Sequence, residues 1–310
     1  MRNVLSECLA EYSLKDPNFI LITGDHGYAL FDRIRQVSPE KFLNLGIMEQ
    51  MVISGAAGMA KVGLHPFCYG LSSFIILRAF EQIKFDVVLP KLPVKIIGDG
   101  AGLVYTSLGN SHQCAEDIAL MNSLPQIEIF SPGDDKEMAI CFSEFSNCKG
   151  PAYLRVGKAD LGNYHAVDLD STFPVFVKKY LNSKNLILST GSMIKIANSL
   201  ANDFNFDQIS FSKISPLYRN DSEKKQILEI LLKYNHIFTI EEHVTSGGFS
   251  TIIQSFLMDA KKNKGDSIKV TSFGLKSSFT TTAGGYQHAL SQHELTLDNI
   301  KNKIKEEIKL

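Results

Sequence analysis

The sequence predicts an α/β chain of two doubly wound domains with mainly parallel sheets. Three observations carry that expectation. Short apolar runs alternate with helical patterns through nearly the whole length, which implies parallel strands covered on both faces. The alternation breaks once, between Val156 and Thr172, where scattered Gly, Asp, Asn and His sustain no period and read as a linker. Finally, 310 residues with 44% hydrophobic and 21% charged composition suit two soluble domains that need neither disulfides nor metal to fold. The expected division is residues 1–157, a linker at 158–174, and residues 175–310.

The elements follow in order. Phe19 to Thr23 is a buried strand, and Gly46 to Ala60 a helix rich in small residues. A strand near His65 to Tyr69 precedes a helix over Ser73 to Leu89 and a strand at Val94 to Ile97. Cys114 to Asn122 forms a helix before the strand Gln126 to Phe130. Ser131-Pro132-Gly133-Asp134 is a turn, with Asp134 as N-cap and Glu137 at the capping-box spacing. In the second half, Leu186 to Ser189 is a strand running through Thr190-Gly191-Ser192 into a helix. Helices at Ser222 to Lys233 and Gly247 to Met258 flank a strand at His236 to Ile240. A last strand at Ile268 to Thr271 and an amphipathic helix from Asp298 to Ile308 complete the pattern.

Composition excludes several functions. Thirty-two basic against thirty-three acidic residues lack the basic excess that phosphate-backbone binding requires, so no nucleic-acid partner is expected. The run Lys261-Lys262-Asn263-Lys264 and the tail from Lys301 to Lys309 read as solvated surface. Glu7 and Glu11 interrupt the apolar core a signal peptide would need, and no stretch reaches the ~18 apolar residues of a membrane span. Five cysteines without a C-x-x-C pair argue against a disulfide framework or zinc site. A cytoplasmic protein without membrane contact is expected.

Two residues stand out chemically. Glu49 shares a helix face with Ile53, Ala56, Ala57 and Ala60. A carboxylate on so apolar a stripe is costly unless paired, and desolvation drives such a group toward its protonated form. It is either an anion at a helix N-terminus or a carboxyl group kept for hydrogen-bonding a ligand nitrogen. His112 lies in the polar loop Leu108 to Gln113, beyond a strand end, where open α/β sheets gather ligands. It is either a solvated loop residue or part of a site. Gly98-Asp99-Gly100 imitates a metal- and diphosphate-holding motif but fits its surroundings better as part of another pattern. No P-loop, G-x-G-x-x-G, H-E-x-x-H or G-x-S-x-G is present.

Read together, these segments resemble the C-terminal half of transketolase and its relatives. Phe42 to Gln50, with Asn44, Gly46 and Glu49, is similar to the block whose glutamate activates thiamine diphosphate. Ala56-Ala57-Gly58-Met59-Ala60 with Gly63 and Pro66 resembles its continuation. Ser73-Phe74 and Arg78-Ala79-Phe80-Glu81-Gln82-Ile83 resemble the helix beside the aminopyrimidine ring. Ser111-His112-Gln113 with Glu116 to Met121, Ser131 to Asp134, and Gly150 to Arg155 follow in family order. Ile240 to His243 and Gly247-Gly248-Phe249 are similar to the C-terminal domain.

That resemblance implies a role for each matched residue. Glu49 would bond the pyrimidine ring, with Phe74 and Phe80 walling it and Arg78 beside them; a helical core stripe is the plainer account of the phenylalanines. His112 would bond the substrate carbonyl or hydroxyls, and Arg155 a substrate phosphate. Asp25 and His26, just beyond the first strand, are further substrate candidates. The half that holds Mg²⁺ and the diphosphate has no counterpart here. The resemblance therefore implies an N-terminal transketolase subunit as partner, in an α2β2 assembly, with self-association through both domains of this chain. Two departures fall on the substrate side: Gly98 to Leu103 lacks a family histidine, and Tyr105-Thr106-Ser107-Leu108-Gly109 replaces an acidic loop. The expected reaction is two-carbon transfer from a ketose or related donor to an aldehyde or keto-sugar acceptor. The alternatives are the β subunit of a 2-oxo-acid dehydrogenase, a 1-deoxyxylulose-5-phosphate-synthase-like enzyme, and an inactive regulatory subunit.

Overall fold

A computed structural model describes residues 1–27, 29–158, 160–165, 175–178, 183–261 and 268–308. Much of the expected linker (159 and 166–174), with Lys262, Asn263, Lys264 and Lys309, lies outside the described residues.

Seven strands form the first sheet. Six come from the first half: β1 (Phe19–Thr23), β2 (Phe42–Asn44), β3 (His65–Leu71), β4 (Lys95–Asp99), β5 (Glu128–Phe130) and β6 (Ala152–Val156). The second half contributes β7 (Val175–Lys178), β8 (Asn185–Ser189), β9 (Asp207–Phe211), β10 (Lys213–Ser215), β11 (His236–Val244) and β12 (Lys269–Leu275). The first sheet runs β10-β5-β6-β4-β3-β1-β2 and the second β12-β11-β8-β9-β7. All pairings are parallel except β10 with β5 and β7 with β9. The mainly parallel, doubly wound class expected from the alternation is therefore present in both halves.

Alternation along each strand builds the layers. Leu21, Phe67, Ile97 and Leu154 turn to one face of the first sheet, under the helices Arg2–Lys15 and Asp135–Asn147. Ile22, Cys68, Ile96 and Tyr153 turn to the other, under Glu49–Lys61. That second core continues without a break into Leu186, Leu188, Ile209 and Phe211 of the second sheet. Ile187 and Phe238 face the far side, against Ile194–Phe204 and Leu297–Ile308. The halves thus share a core and a strand, since β10 of the second half completes the first sheet.

Two local outcomes matter for the site. Asp134 accepts from the Glu137 N–H at 2.9 Å as its spacing predicts, while the Glu137 carboxylate reaches back to the N–H of Gly133, one residue before the N-cap. The single helix expected over Ser73 to Leu89 is broken into Ser72–Ile75, Phe80–Gln82 and a wide turn at Ile83–Val88. Leu89 N–H bonds the Lys84 carbonyl and Leu92 N–H that of Val87, each five residues back. Wide turns of this kind recur at functional sites, and Phe74 and Arg78 lie in the broken stretch between β3 and this turn. The helix Arg2–Lys15 escaped the sequence reading: its buried Leu5 and Leu9 are too few for a clear stripe.

Candidate functional site

Glu49 opens its helix, with Val52, Ile53, Ala56 and Ala57 buried along the same element. The carboxylate is 3% exposed. Its Oε2 accepts from the Arg78 guanidinium at 2.8 Å, whereas its Oε1 is buried with no hydrogen-bond partner. The carboxylate stands in the first turn of its helix, where the N-terminus favours a negative charge. Arg78 lies over the Phe74 ring at 4.7 Å, a cation–π contact. The Phe74 centroid is 5.2 Å from that of His112 and 6.2 Å from that of His26. The Ser111 hydroxyl lies 3.0 Å from His112 Nδ1. Five expected residues, Glu49, Phe74, Arg78, His26 and His112, therefore meet at one place. Burial holds the His26 imidazole below its ordinary pKa, outweighing the nearby carboxylates of Glu49, Asp25 and Asp99, which pull upward.

Asn44, at the end of β2, ties the loops around them. Its Oδ1 accepts from Gly46 N–H at 2.9 Å and from Asp25 N–H at 3.2 Å. A Cβ on Gly24 would sit 2.9 Å from the Gly46 carbonyl oxygen, so these loops close only around glycine. Asn44 was legible as part of the Phe42 to Gln50 block, but its structural role was not. Asp25 itself is exposed at φ +63°, with its side chain outside the cluster's ring contacts.

One expected residue stands outside these ring contacts and another is corrected. Phe80 is half-buried and packs against the continuous hydrophobic core. Arg155 is 1% exposed and lies at the junction between the halves. Its Nε donates to Asp117 at 2.8 Å and its Nη2 to the Glu242 carbonyl at 2.7 Å. A guanidinium so enclosed and engaged is a structural cation and offers no fork to a substrate phosphate.

That junction is a buried polar network. The Glu242 carboxylate accepts from Leu103 N–H at 2.7 Å and from the Ser192 and Tyr286 hydroxyls. Desolvation raises Glu242 above the usual carboxylate range despite these donors. Glu241 caps the helix Phe249–Lys261 by accepting from Phe249 N–H at 2.6 Å and Ser250 N–H at 2.9 Å. Burial still pushes it up to about 7. His243 accepts from Ala119 N–H at 3.2 Å and donates to the Val244 carbonyl at 2.5 Å, the pattern of a neutral imidazole.

In the Gly98-Asp99-Gly100 segment one carboxylate oxygen of Asp99 gathers three contacts. Asp99 accepts from Tyr69 at 2.8 Å and Tyr105 at 3.0 Å and pairs with Arg2 at 3.2 Å. A Cβ at Gly98 would lie 2.6 Å from the Ser72 hydroxyl, so packing accounts for that glycine. Among the described residues, no group of three or more His, Cys, Asp or Glu is placed to hold a metal ion. No helix among them is long and apolar enough to cross a membrane. The orphaned Glu49 Oε1 does suit a ligand that presents a nitrogen hydrogen-bonding group beside an aromatic wall, as an aminopyrimidine does.

Comparison with known proteins agrees over both halves. Residues 1–163 match the family model of the transketolase pyrimidine binding domain, and residues 177–284 that of the transketolase C-terminal domain. A Methanocaldococcus jannaschii protein described as a transketolase C-terminal section is 27% identical over 317 aligned residues, covering 100% of this chain and 96% of that protein. The 1-deoxy-D-xylulose-5-phosphate synthase of Lawsonia intracellularis is 30% identical, across 97% of this chain but 47% of the synthase. Among solved structures, a split gene transketolase described as an inactive β4 tetramer superposes with a TM-score of 0.84 at 25% identity, covering 98% of this chain and 97% of that one. Campylobacter jejuni transketolase gives 0.76 at 16% identity, across 98% of this chain and 46% of that enzyme. The chain thus spans less than half the length of the synthases and of the single-chain transketolase. Matched over both domains and sharing their fold, this chain belongs to the transketolase family.

Proposed function

We propose that this chain is the pyrimidine-binding half of a split, thiamine-diphosphate-dependent transferase of the transketolase type. It moves a two-carbon unit from a ketose or related donor to an aldehyde or keto-sugar acceptor, in the cytoplasm, as the β subunit of an α2β2 assembly. One observation carries the reading: Glu49 Oε1 is buried without a partner while Arg78 fixes Oε2. Leaving that oxygen unpaired costs about 1–3 kcal/mol of desolvation, which a hydrogen bond from a ligand would recover.

When bound, thiamine diphosphate supplies an electron sink for cleaving the C–C bond beside a carbonyl. Glu49 Oε1 holds or releases the proton shared with the ring nitrogen, and Arg78 keeps the carboxyl in one orientation. Phe74 supplies the apolar wall that excludes water. His112, with Nδ1 beside Ser111, has Nε2 left to bond a substrate carbonyl or hydroxyl. A partner subunit holds the diphosphate and Mg²⁺. Supporting that assignment, Asp99 is occupied by Tyr69, Tyr105 and Arg2.

A second reading, a synthase-like enzyme with a 2-oxo-acid donor, is favoured by the relatives described as 1-deoxy-D-xylulose-5-phosphate synthases. The test is reconstitution with a diphosphate-binding subunit, Mg²⁺ and thiamine diphosphate, comparing ketose phosphates with pyruvate as donors. The lone chain should be inactive, and Glu49→Gln should lower kcat of the complex by about 10²-fold or more. Turnover by the lone chain, or a Glu49→Gln enzyme as fast as wild type, would sink the proposal.

A further inference from the structure

The loop that carries His112 belongs to the first half, but the second half anchors it. Asn110 Nδ2 donates to the Thr280 carbonyl at 3.0 Å, and Asn110 Oδ1 accepts from the Thr280 N–H at 3.1 Å. This two-way pair bridges 170 residues of sequence. A second anchor sits three residues on. The Thr280 hydroxyl donates to Gln113 Oε1 at 2.9 Å, and Gln113 Nε2 donates to Thr106 Oγ1 at 2.9 Å.

The donors all run one way. Lys276 N–H donates to His293 Nδ1 at 3.2 Å, so in a neutral ring the proton sits on Nε2. That Nε2 lies 3.3 Å from the Thr280 hydroxyl, which is thereby supplied as acceptor and turned to donate to Gln113. Burial lowers the His293 pKa and keeps the ring in this neutral form. Thr280 is 8% exposed, so water competes little for its bonds. Between the anchors at Asn110 and Gln113 lie only Ser111 and His112. The ring that meets Phe74 at 5.2 Å is therefore bracketed on both sides by contacts from the other domain.

We propose that Asn110 and Thr280 are positioning residues, through which the C-terminal domain aims His112 at the Glu49–Phe74 cluster. The proposal rests on the reading of that cluster as the catalytic site. It makes the second domain a working part of the site.

The test uses the full chain and the reconstituted complex, with Asn110→Ala, Thr280→Val and the hydroxyl-keeping Thr280→Ser. In the chain alone, Asn110→Ala and Thr280→Val should speed amide hydrogen exchange over residues 106–113 by about tenfold, the equivalent of one lost hydrogen bond. They should also shift the His112 imidazole resonance, assigned by its loss in His112→Gln. In the complex both should lower kcat while the dependence on cofactor concentration stays as in wild type. Thr280→Ser should restore all three readouts. If Thr280→Val fails to fold, Thr280→Ala, which removes the hydroxyl and leaves the backbone bonds to Asn110, takes its place with Thr280→Ser still the rescue.

Unchanged exchange and an unshifted His112 signal would overturn the clamp, as would failure of Thr280→Ser to rescue. These two readouts need neither cofactor nor partner, so they judge the clamp independently. Loss of the Glu49→Gln effect would instead overturn the catalytic reading and leave them untouched.

Discussion

Replacing Arg155 with methionine separates a structural cation from a substrate-binding one. The guanidinium is 1% exposed and its partner Asp117 is wholly buried. Arg155→Met removes a 2.8 Å charge-assisted bond to Asp117 and a 2.7 Å bond to the Glu242 carbonyl. Asp117 then keeps one donor, the Tyr153 hydroxyl at 2.7 Å, while its Oδ1 already lacks a hydrogen bond. Leaving a carboxylate buried without its cation costs about 3–5 kcal/mol, a large part of the 5–15 kcal/mol that typically stabilises a domain. The double variant Arg155→Met/Asp117→Asn leaves no charge behind and should recover more than half of the loss. Urea unfolding followed by far-ultraviolet circular dichroism suits the assay, because the chain has no tryptophan to report by fluorescence. A loss below about 1 kcal/mol for Arg155→Met, as for an ordinary surface residue, would refute the structural assignment.

Two further outcomes follow from the same junction. Glu241, raised to about 7 by burial, keeps in the folded state a proton that the unfolded chain loses above its ordinary 4.5. Its contribution to stability therefore falls as pH rises from 4.5 to about 7, by about 3 kcal/mol, and is level above that window. Buried histidines such as His243, whose pKa is lowered, act in the opposite sense, so wild type must be compared with Glu241→Gln at each pH; parallel stability curves would contradict the assignment. Gly102 sits at φ +72°, and a Cβ there would lie 2.5 Å from Glu242 Oε1. Gly102→Ala should cost about 2 kcal/mol or more, read as a lowered thermal midpoint, and an unchanged midpoint would show that the junction can yield.

What the sequence showed, and what it hid, divides by range. The alternation of apolar runs is a local pattern, so the layers and the parallel class were legible from it. The Asp134–Glu137 pair was legible because a capping box spans four residues. Glu49 was conspicuous because a carboxylate on a small apolar stripe needs an explanation. Arg155 was misread because its environment is set by Asp117 and Glu242, far off in sequence, and identity says nothing of enclosure. The break after Ile75 and the wide turn at Ile83–Val88 were missed because an apolar period marks a helical face and not the bonding of each turn. Thr280 left no signal, since it lies in an irregular segment and acts through its own backbone as much as its hydroxyl.

Strand β10 has a consequence in time. Protein synthesis runs from the N-terminus, so β5 and β6 leave the ribosome well before Lys213–Ser215. At about 5–20 residues per second the delay is on the order of 3 to 10 seconds. Through that interval the β5 edge stands open, guarded mainly by its shortness and the charge of Glu128. Several chains growing along one messenger pass through this state close together. An edge that accepts an antiparallel strand from its own chain can accept the same strand from a neighbour, but the tethered strand has the advantage of its high effective concentration. The first sheet is thus completed only once the second half of the same chain has been made.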